Sequence, residues 1–174
     1  MTQEPAFYLT LVSLATAVAV LGLVLRRASR LFAAATLALL AVTLVVAWVA
    51  GETGGHGTGH RWLTVLAGAL AVAGGGLVTT LVFSFIDGGE RVRQAGQVLR
   101  GGAWIGALER LAVFVTVVVG WGPGLAIVLA VKGLGRYPEL RNDEDTGVAE
   151  RFIIGTLTSV LWATACAGLA VLAP

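Results

Sequence analysis

The chain has 174 residues, 57% of them hydrophobic and only 13% charged, with a mean hydropathy of +0.87. Soluble domains carry about 25% charged residues, and a fold of this size has too little interior to hide so much apolar surface, which excludes a soluble globular class. The net charge of +2 does not point to nucleic acid, because the cations flank apolar runs and neither zinc-ligand spacing nor an aromatic-interleaved basic stretch is present.

The apolar residues form runs of about 20, enough for a helix to cross roughly 30 Å of hydrocarbon. The first covers 6–25. No cation precedes it, whereas Arg26, Arg27 and Arg30 follow; this is the reverse of a secretory signal and predicts a retained helix with its amino end outside. A second run covers 31–50, and 51–61 is a glycine-rich polar loop. The third run, 62–86, contains Gly74, Gly75 and Gly76. Each glycine would weaken a water-exposed helix by about 1 kcal/mol, but inside a bundle glycines let a neighbour approach closely.

Residues 87–101 are polar and suit a short interfacial helix. The fourth run is 102–120, followed by a turn at 121–124 and a fifth run, 125–134. That run reaches spanning length only if its helix continues through Lys132 and Arg136, with both side chains snorkelling or pairing at its end. A charged loop, 137–147, leads into a sixth run, 148–173. The expectation is a single all-α transmembrane domain, a polytopic bundle of about six helices over 1–174.

Cation placement sets an orientation. The segments 26–30, 87–101 and 132–151 alternate onto one face and hold ten lysines and arginines, whereas the other face holds Arg61 alone. The first set is therefore expected in the cytoplasm and both termini outside. Trp48, Trp62, Trp104 and Trp121 lie near the ends of the runs, as interfacial anchors do.

The segment 102–159 sets charge against apolar sequence. Glu109 lies about 10 Å along the fourth helix from Gly102, where an ionisable side chain is costly and faces protein or water. Glu109 and Arg110 are adjacent, hence about 100° apart on a helix, and each needs a partner elsewhere. Lys132 and Arg136 on the fifth helix, with Glu150 and Arg151 on the sixth, are the candidates. Cations at the end of the fifth helix and an acid at the start of the sixth also suit the helix dipoles. Gly155 and Ser159 follow Arg151 at intervals of four, and Gly102, Gly106 and Arg110 form a similar stripe, outlining a cytoplasm-facing pocket.

The order Ile105-Gly106-Ala107-Leu108-Glu109-Arg110, Lys132, Arg136, Ala149-Glu150 and Ile154-Gly155-Thr156-Leu157 with Ser159 resembles the carboxy-terminal half of an uncharacterised family of bacterial multi-pass membrane proteins, a domain of unknown function. The resemblance implies a bacterial inner-membrane protein and singles out Glu109, Arg110, Lys132, Arg136, Glu150 and Thr156. It implies no activity and no cofactor.

Three readings follow. In the leading one the protein binds or moves an anionic small molecule or lipid headgroup, with Arg110, Lys132, Arg136 and Arg151 as donors and Glu109, Glu150, Thr156 and Ser159 orienting them. In the second, the charges are structural ion pairs, the glycine faces pack against a second copy or another membrane protein, and the role is assembly or interaction. In the third, Glu109 and Glu150 relay a proton or ion.

Enzymatic signatures are lacking. There is no His-Glu-x-x-His and no Gly-x-Ser-x-Gly. Asp87-Gly88 lacks the downstream aspartates of a two-metal site, and Cys166 reads as a packing residue. Glu52, His56 and His60 recur every four residues, which on a helix would align metal ligands; Gly54, Gly55, Gly57 and Gly59 between them argue for a loop, and no metal site is expected there.

Overall fold

The structure is a computed structural model that describes residues 5–25, 29–50, 58–86, 102–137, 141 and 147–172. Among the described residues it is all-helical, with α1 (Pro5–Leu25), α2 (Ser29–Ala50), α3 (Thr58–Ile86), α4 (Gly102–Val118), α5 (Gly122–Gly135) and α6 (Val148–Leu172). Three helices are long and apolar enough to cross a membrane, over Arg30–Trp48, His60–Ile86 and Ala149–Leu172. The apolar stretches Phe7–Leu23 and Gly122–Gly135 are shorter. The expected interfacial helix in 87–101 lies outside the described residues.

Two boundaries differ from the sequence expectation. Helix α3 begins at Thr58 rather than at 62, so Gly59, His60 and Arg61 belong to its first turn. The turn expected at 121–124 instead centres on Gly120, whose φ of +72° closes α4. There the Gly120 N–H donates to the Val117 carbonyl at 3.0 Å and the Trp121 N–H to the Thr116 carbonyl at 2.8 Å, the paired bonds of a Schellman cap, in which glycine enters the left-handed region without steric cost. Pro123 then falls in the first turn of α5, where its missing N–H costs no intrahelical bond. Helix α5 thus starts three residues earlier than 125, yet with 14 residues it is only about 21 Å long.

Helix α3 is the axis of the bundle and packs against α1, α2, α4 and α6, whereas α5 packs chiefly on α4. The outer helices each bury one stripe at alternating intervals of three and four. In α1 it is Tyr8, Val12, Ala15 and Ala19; in α2 it is Ala33, Thr36, Leu40, Thr43 and Ala47. Alanines in these stripes let the backbones close in, as in membrane bundles. The opposite faces expose Leu14, Leu21, Val42 and Val45, which suits contact with hydrocarbon. The threonine hydroxyls of the α2 stripe donate to the carbonyls four residues earlier, Thr36 to Phe32 at 2.7 Å and Thr43 to Leu39 at 2.6 Å, so burial leaves neither group unpaired.

Two glycines of the α3 triplet, Gly74 and Gly75, face the chain's own helices. A Cβ on Gly74 would collide with the indole of Trp162 from α6, and one on Gly75 would lie 2.7 Å from Arg110 Nε of α4 and 3.0 Å from Trp162 Cδ1. The Trp162 indole N–H lies against two α3 carbonyls, at 3.3 Å from Leu70 and 3.2 Å from Ala71. A Cβ on Gly76 would meet nothing within 4 Å.

Overpacking a filled contact costs about 1–3 kcal/mol. Gly74→Val is therefore expected to lower the thermal unfolding midpoint of detergent-purified protein by several degrees, and Gly76→Val to stay close to wild type. Equal losses in the two variants would contradict the seating of Trp162 on Gly74.

Candidate functional site

The charged residues of α4 are directed by their neighbours. The Arg110 side chain runs along the glycine notch of α3, and its Nε donates to the Val72 carbonyl at 3.2 Å. Its Nη1 folds back towards its own helix and would lie 3.2 Å from a Cβ on Gly106, so Gly106, one turn earlier, leaves room for the guanidinium. Because successive helical residues are about 100° apart, turning Arg110 onto α3 turns Glu109 away from it. Glu109 meets Lys132 of α5 in an ion pair.

The two charged side chains of that pair are each 18% exposed. Lys132 also stands 6.0 Å from the centre of the Phe152 ring of α6, at the outer limit of a cation–π contact. Glu109, Arg110, Lys132 and Ser159 line one small, partly open cavity of about 10 Å³ together with Val113, Val128, Leu129 and Val160. That is room for about one water and too little for a phosphate or carboxylate group.

The sequence-predicted residues separate into those the fold gathers and those it leaves at the helix ends. Glu109, Arg110, Lys132 and Ser159 are gathered. Of the cations named as candidate partners for Glu109, Lys132 is the one engaged. Arg110 reaches the Val72 carbonyl rather than Glu150, which is exposed in the first turn of α6. Gly147, with φ +69°, precedes that helix and accepts from the Arg151 N–H at 3.2 Å, which fixes where α6 starts. Arg136 caps α5 and, like Arg151, is half-buried. The Thr156 hydroxyl is buried with no hydrogen-bond partner among the described residues.

His60 stands in the first turn of α3 with a buried Nδ1 that has no hydrogen-bond partner among the described residues. His56 and Glu52 lie outside the described residues. Trp48, Trp62, Trp104 and Trp121 are all exposed, whereas Trp162, to which sequence reasoning gave no role, is buried and ties α6 to α3. Its one visible signal is position: it lies inside an apolar run rather than near an end.

Fold and site together define a class: the described residues are all-helical, with three helices long and apolar enough for a membrane and an ion pair between two helices. No protein-family model matches the chain, and neither the curated proteins nor the solved structures contain a match.

Removing one member of a buried pair strands the other charge, at a cost of about 3–5 kcal/mol, whereas replacing both by apolar groups is often close to neutral. Partial exposure of this pair places the loss near or below the lower figure. Lys132→Ala is thus expected to destabilise the protein strongly, and the double variant Glu109→Leu with Lys132→Leu to recover most of that loss in a denaturant titration. Additive losses would contradict the pairing.

Proposed function

We propose that the chain is a non-catalytic, six-span protein of a bacterial cytoplasmic membrane, with both termini outside, and that it serves in assembly or interaction with another membrane helix. In this reading Glu109, Lys132 and Arg110 are structural: they hold the α4–α5 hairpin on the bundle. The carrying observation is that these charges meet protein groups, Lys132 at Glu109 and Arg110 Nε at the Val72 carbonyl, around a cavity of about 10 Å³. That favours a structural cluster over a headgroup pocket.

The hairpin itself supports the interaction role. Helix α5 packs chiefly on α4 and buries only Gly124 fully. Its outward residues include Ile127, Val131 and Leu134, and a Cβ on Gly122, Gly133 or Gly135 would meet nothing within 4 Å. Small residues beside aliphatic ones on a one-sided helix suit close packing by another helix. At about 21 Å, α5 is also short for the bilayer, and short spans favour helix association among other adjustments. The ten-to-one cation asymmetry supports the orientation, and exposed Trp104 and Trp121 near the two ends of α4 suit a hairpin that crosses between interfaces.

A cysteine scan tests this role. In a Cys166→Ala background, which removes the single native thiol, Gly133→Cys is expected to form a disulfide-linked dimer, or a crosslink to one other membrane protein, in native membranes under mild oxidation. Val42→Cys on the exposed face of α2 should not. Crosslinking that is absent at both positions, or equal at both, would retire the assembly reading.

A further inference from the structure

Helix α3 is not covered all round. Its neighbours α1 and α4 both pack on it but share no substantial contact with each other among the described residues. Between them runs a strip of exposed or half-buried α3 surface, Trp62, Val65, Ala69, Val72, Gly76 and Thr80, at the intervals of three and four that keep residues on one helix face. On the α4 edge the Val72 carbonyl accepts from Arg110; on the α1 edge the Leu66 carbonyl lies 3.5 Å from the Thr16 hydroxyl. A Cβ on Gly76 would meet nothing within 4 Å. Beside the strip, Ser13, Ala17 and Val20 of α1 and Leu66 of α3 line an open groove of about 480 Å³. Small residues on two adjoining helices let the backbone of a further helix come close.

One edge of the strip is charged. The Arg110 Nε donates to the Val72 carbonyl, and its Nη groups make no hydrogen bond among the described residues. Trp162 shares the Gly75 contact with Arg110 and flanks it on the α6 side. Arg110 is half-buried and its Nη groups, unlike the Thr156 hydroxyl, are not sealed off, so they stay open to a further acceptor. Glu109, next to it in the chain, is turned away to Lys132.

Depth and charge select the acceptor. Val72 is the midpoint of α3 (Thr58–Ile86), about 21 Å from either end, whereas half the hydrocarbon core is only about 15 Å. A lipid phosphate at the surface is too far away, and a cation at this depth calls for a partner within the membrane. The described carboxylates of this chain are Glu109, held by Lys132, and Glu150 in the first turn of α6, so a second copy has none to offer at mid-membrane.

From this juxtaposition we infer that the face of α3 between α1 and α4 docks a transmembrane helix of another protein that carries an aspartate or glutamate near its middle, with that carboxylate on Arg110. The inference rests on the membrane assembly role proposed above but uses a different surface from the outer face of α5. The small residues set how closely the partner packs, and the charge-assisted hydrogen bond sets its register.

The test reconstitutes the full chain in phosphatidylcholine vesicles, with a donor dye on Phe7→Cys in the Cys166→Ala background. The probe is an acceptor-labelled leucine-alanine peptide of about 20 residues with aspartate, asparagine or leucine at its centre. Energy transfer is expected at about tenfold lower peptide density with aspartate than with leucine, as for a hydrogen bond to a charged group, with asparagine between them. Arg110→Gln should remove the aspartate preference. Should that variant fail to fold, Gly76→Val and Ala69→Leu decide, because they fill the strip from its open side: both should keep an unfolding midpoint near wild type and lose the preference. Equal transfer with aspartate and leucine overturns the inference, as does a preference that survives both strip variants, which places the peptide elsewhere. Transfer between two labelled copies without peptide, abolished by the strip variants, makes the occupant a second copy and overturns it too. The Gly133→Cys crosslink reads the α5 face alone, so its loss beside an intact aspartate preference retires only the α5 surface. A chain that alkaline carbonate strips from native membranes fails the membrane reading and takes the inference with it.

Discussion

The absence of side chains at Gly74 and Gly75 is the constraint on which the rest of the bundle depends. Among the described helices α3 alone packs against four others, and at these two residues its surface is bare backbone. The indole of Trp162 and the side chain of Arg110 occupy that notch from two different helices. A methyl group at either glycine would push α6 or α4 outward and separate donors from the α3 carbonyls they reach. Glycine, unfavourable in a helix on propensity alone, is here what permits hydrogen bonding between helices in a setting where water does not satisfy stranded groups.

The charged cluster follows from that notch through helical geometry. Once Arg110 lies on α3, Glu109 must face another direction, and α5 supplies Lys132 there. The Schellman cap at Gly120 reverses the chain so that α5 returns along α4, which places Lys132 level with Glu109. A helix of 14 residues docked mainly on one neighbour has little apolar contact to fix its register. One ion pair inside the helical layer can do so, because sliding by a turn would strand both charges. Among the described residues the same geometry leaves the outer face of α5 uncovered, and the proposed assembly role rests on that surface.

Much of the fold was legible in the sequence because hydrocarbon sets a length and cations mark the ends of the runs. The expected runs match the helices to within a few residues. The start of α3 was misplaced because the glycines at 54, 55, 57 and 59 read as a loop, while the helix in fact takes in Gly59 and His60. The α4–α5 turn was misplaced by one residue because Trp-Gly-Pro-Gly carries the usual turn composition, whereas the positive φ lies at Gly120 just before it. Lys132 was identifiable as a partner for Glu109, since adjacent helical residues diverge and a same-side cation was required. That Arg110 would find a backbone carbonyl rather than Glu150 was not legible: periodicity identifies an inward face only where polar and apolar residues alternate, and most of α3 is apolar or glycine all round. Trp162 was hidden for the same reason, because the run that contains it gives no contrast between faces.

The most direct measurement of the central claim is a double-mutant cycle between Gly74→Ala and Trp162→Ala, read as unfolding free energy in detergent. Residues in contact couple by about 0.5–3 kcal/mol, whereas independent sites add to within about 0.3–0.5 kcal/mol. The account predicts coupling of at least about 1 kcal/mol, with Gly74→Ala destabilising when Trp162 is present and neutral or favourable once it is removed, since alanine is the better helix former. Additive effects would mean that Trp162 does not occupy the notch, and the dependence of α4, α5 and α6 on those two glycines would fall with it.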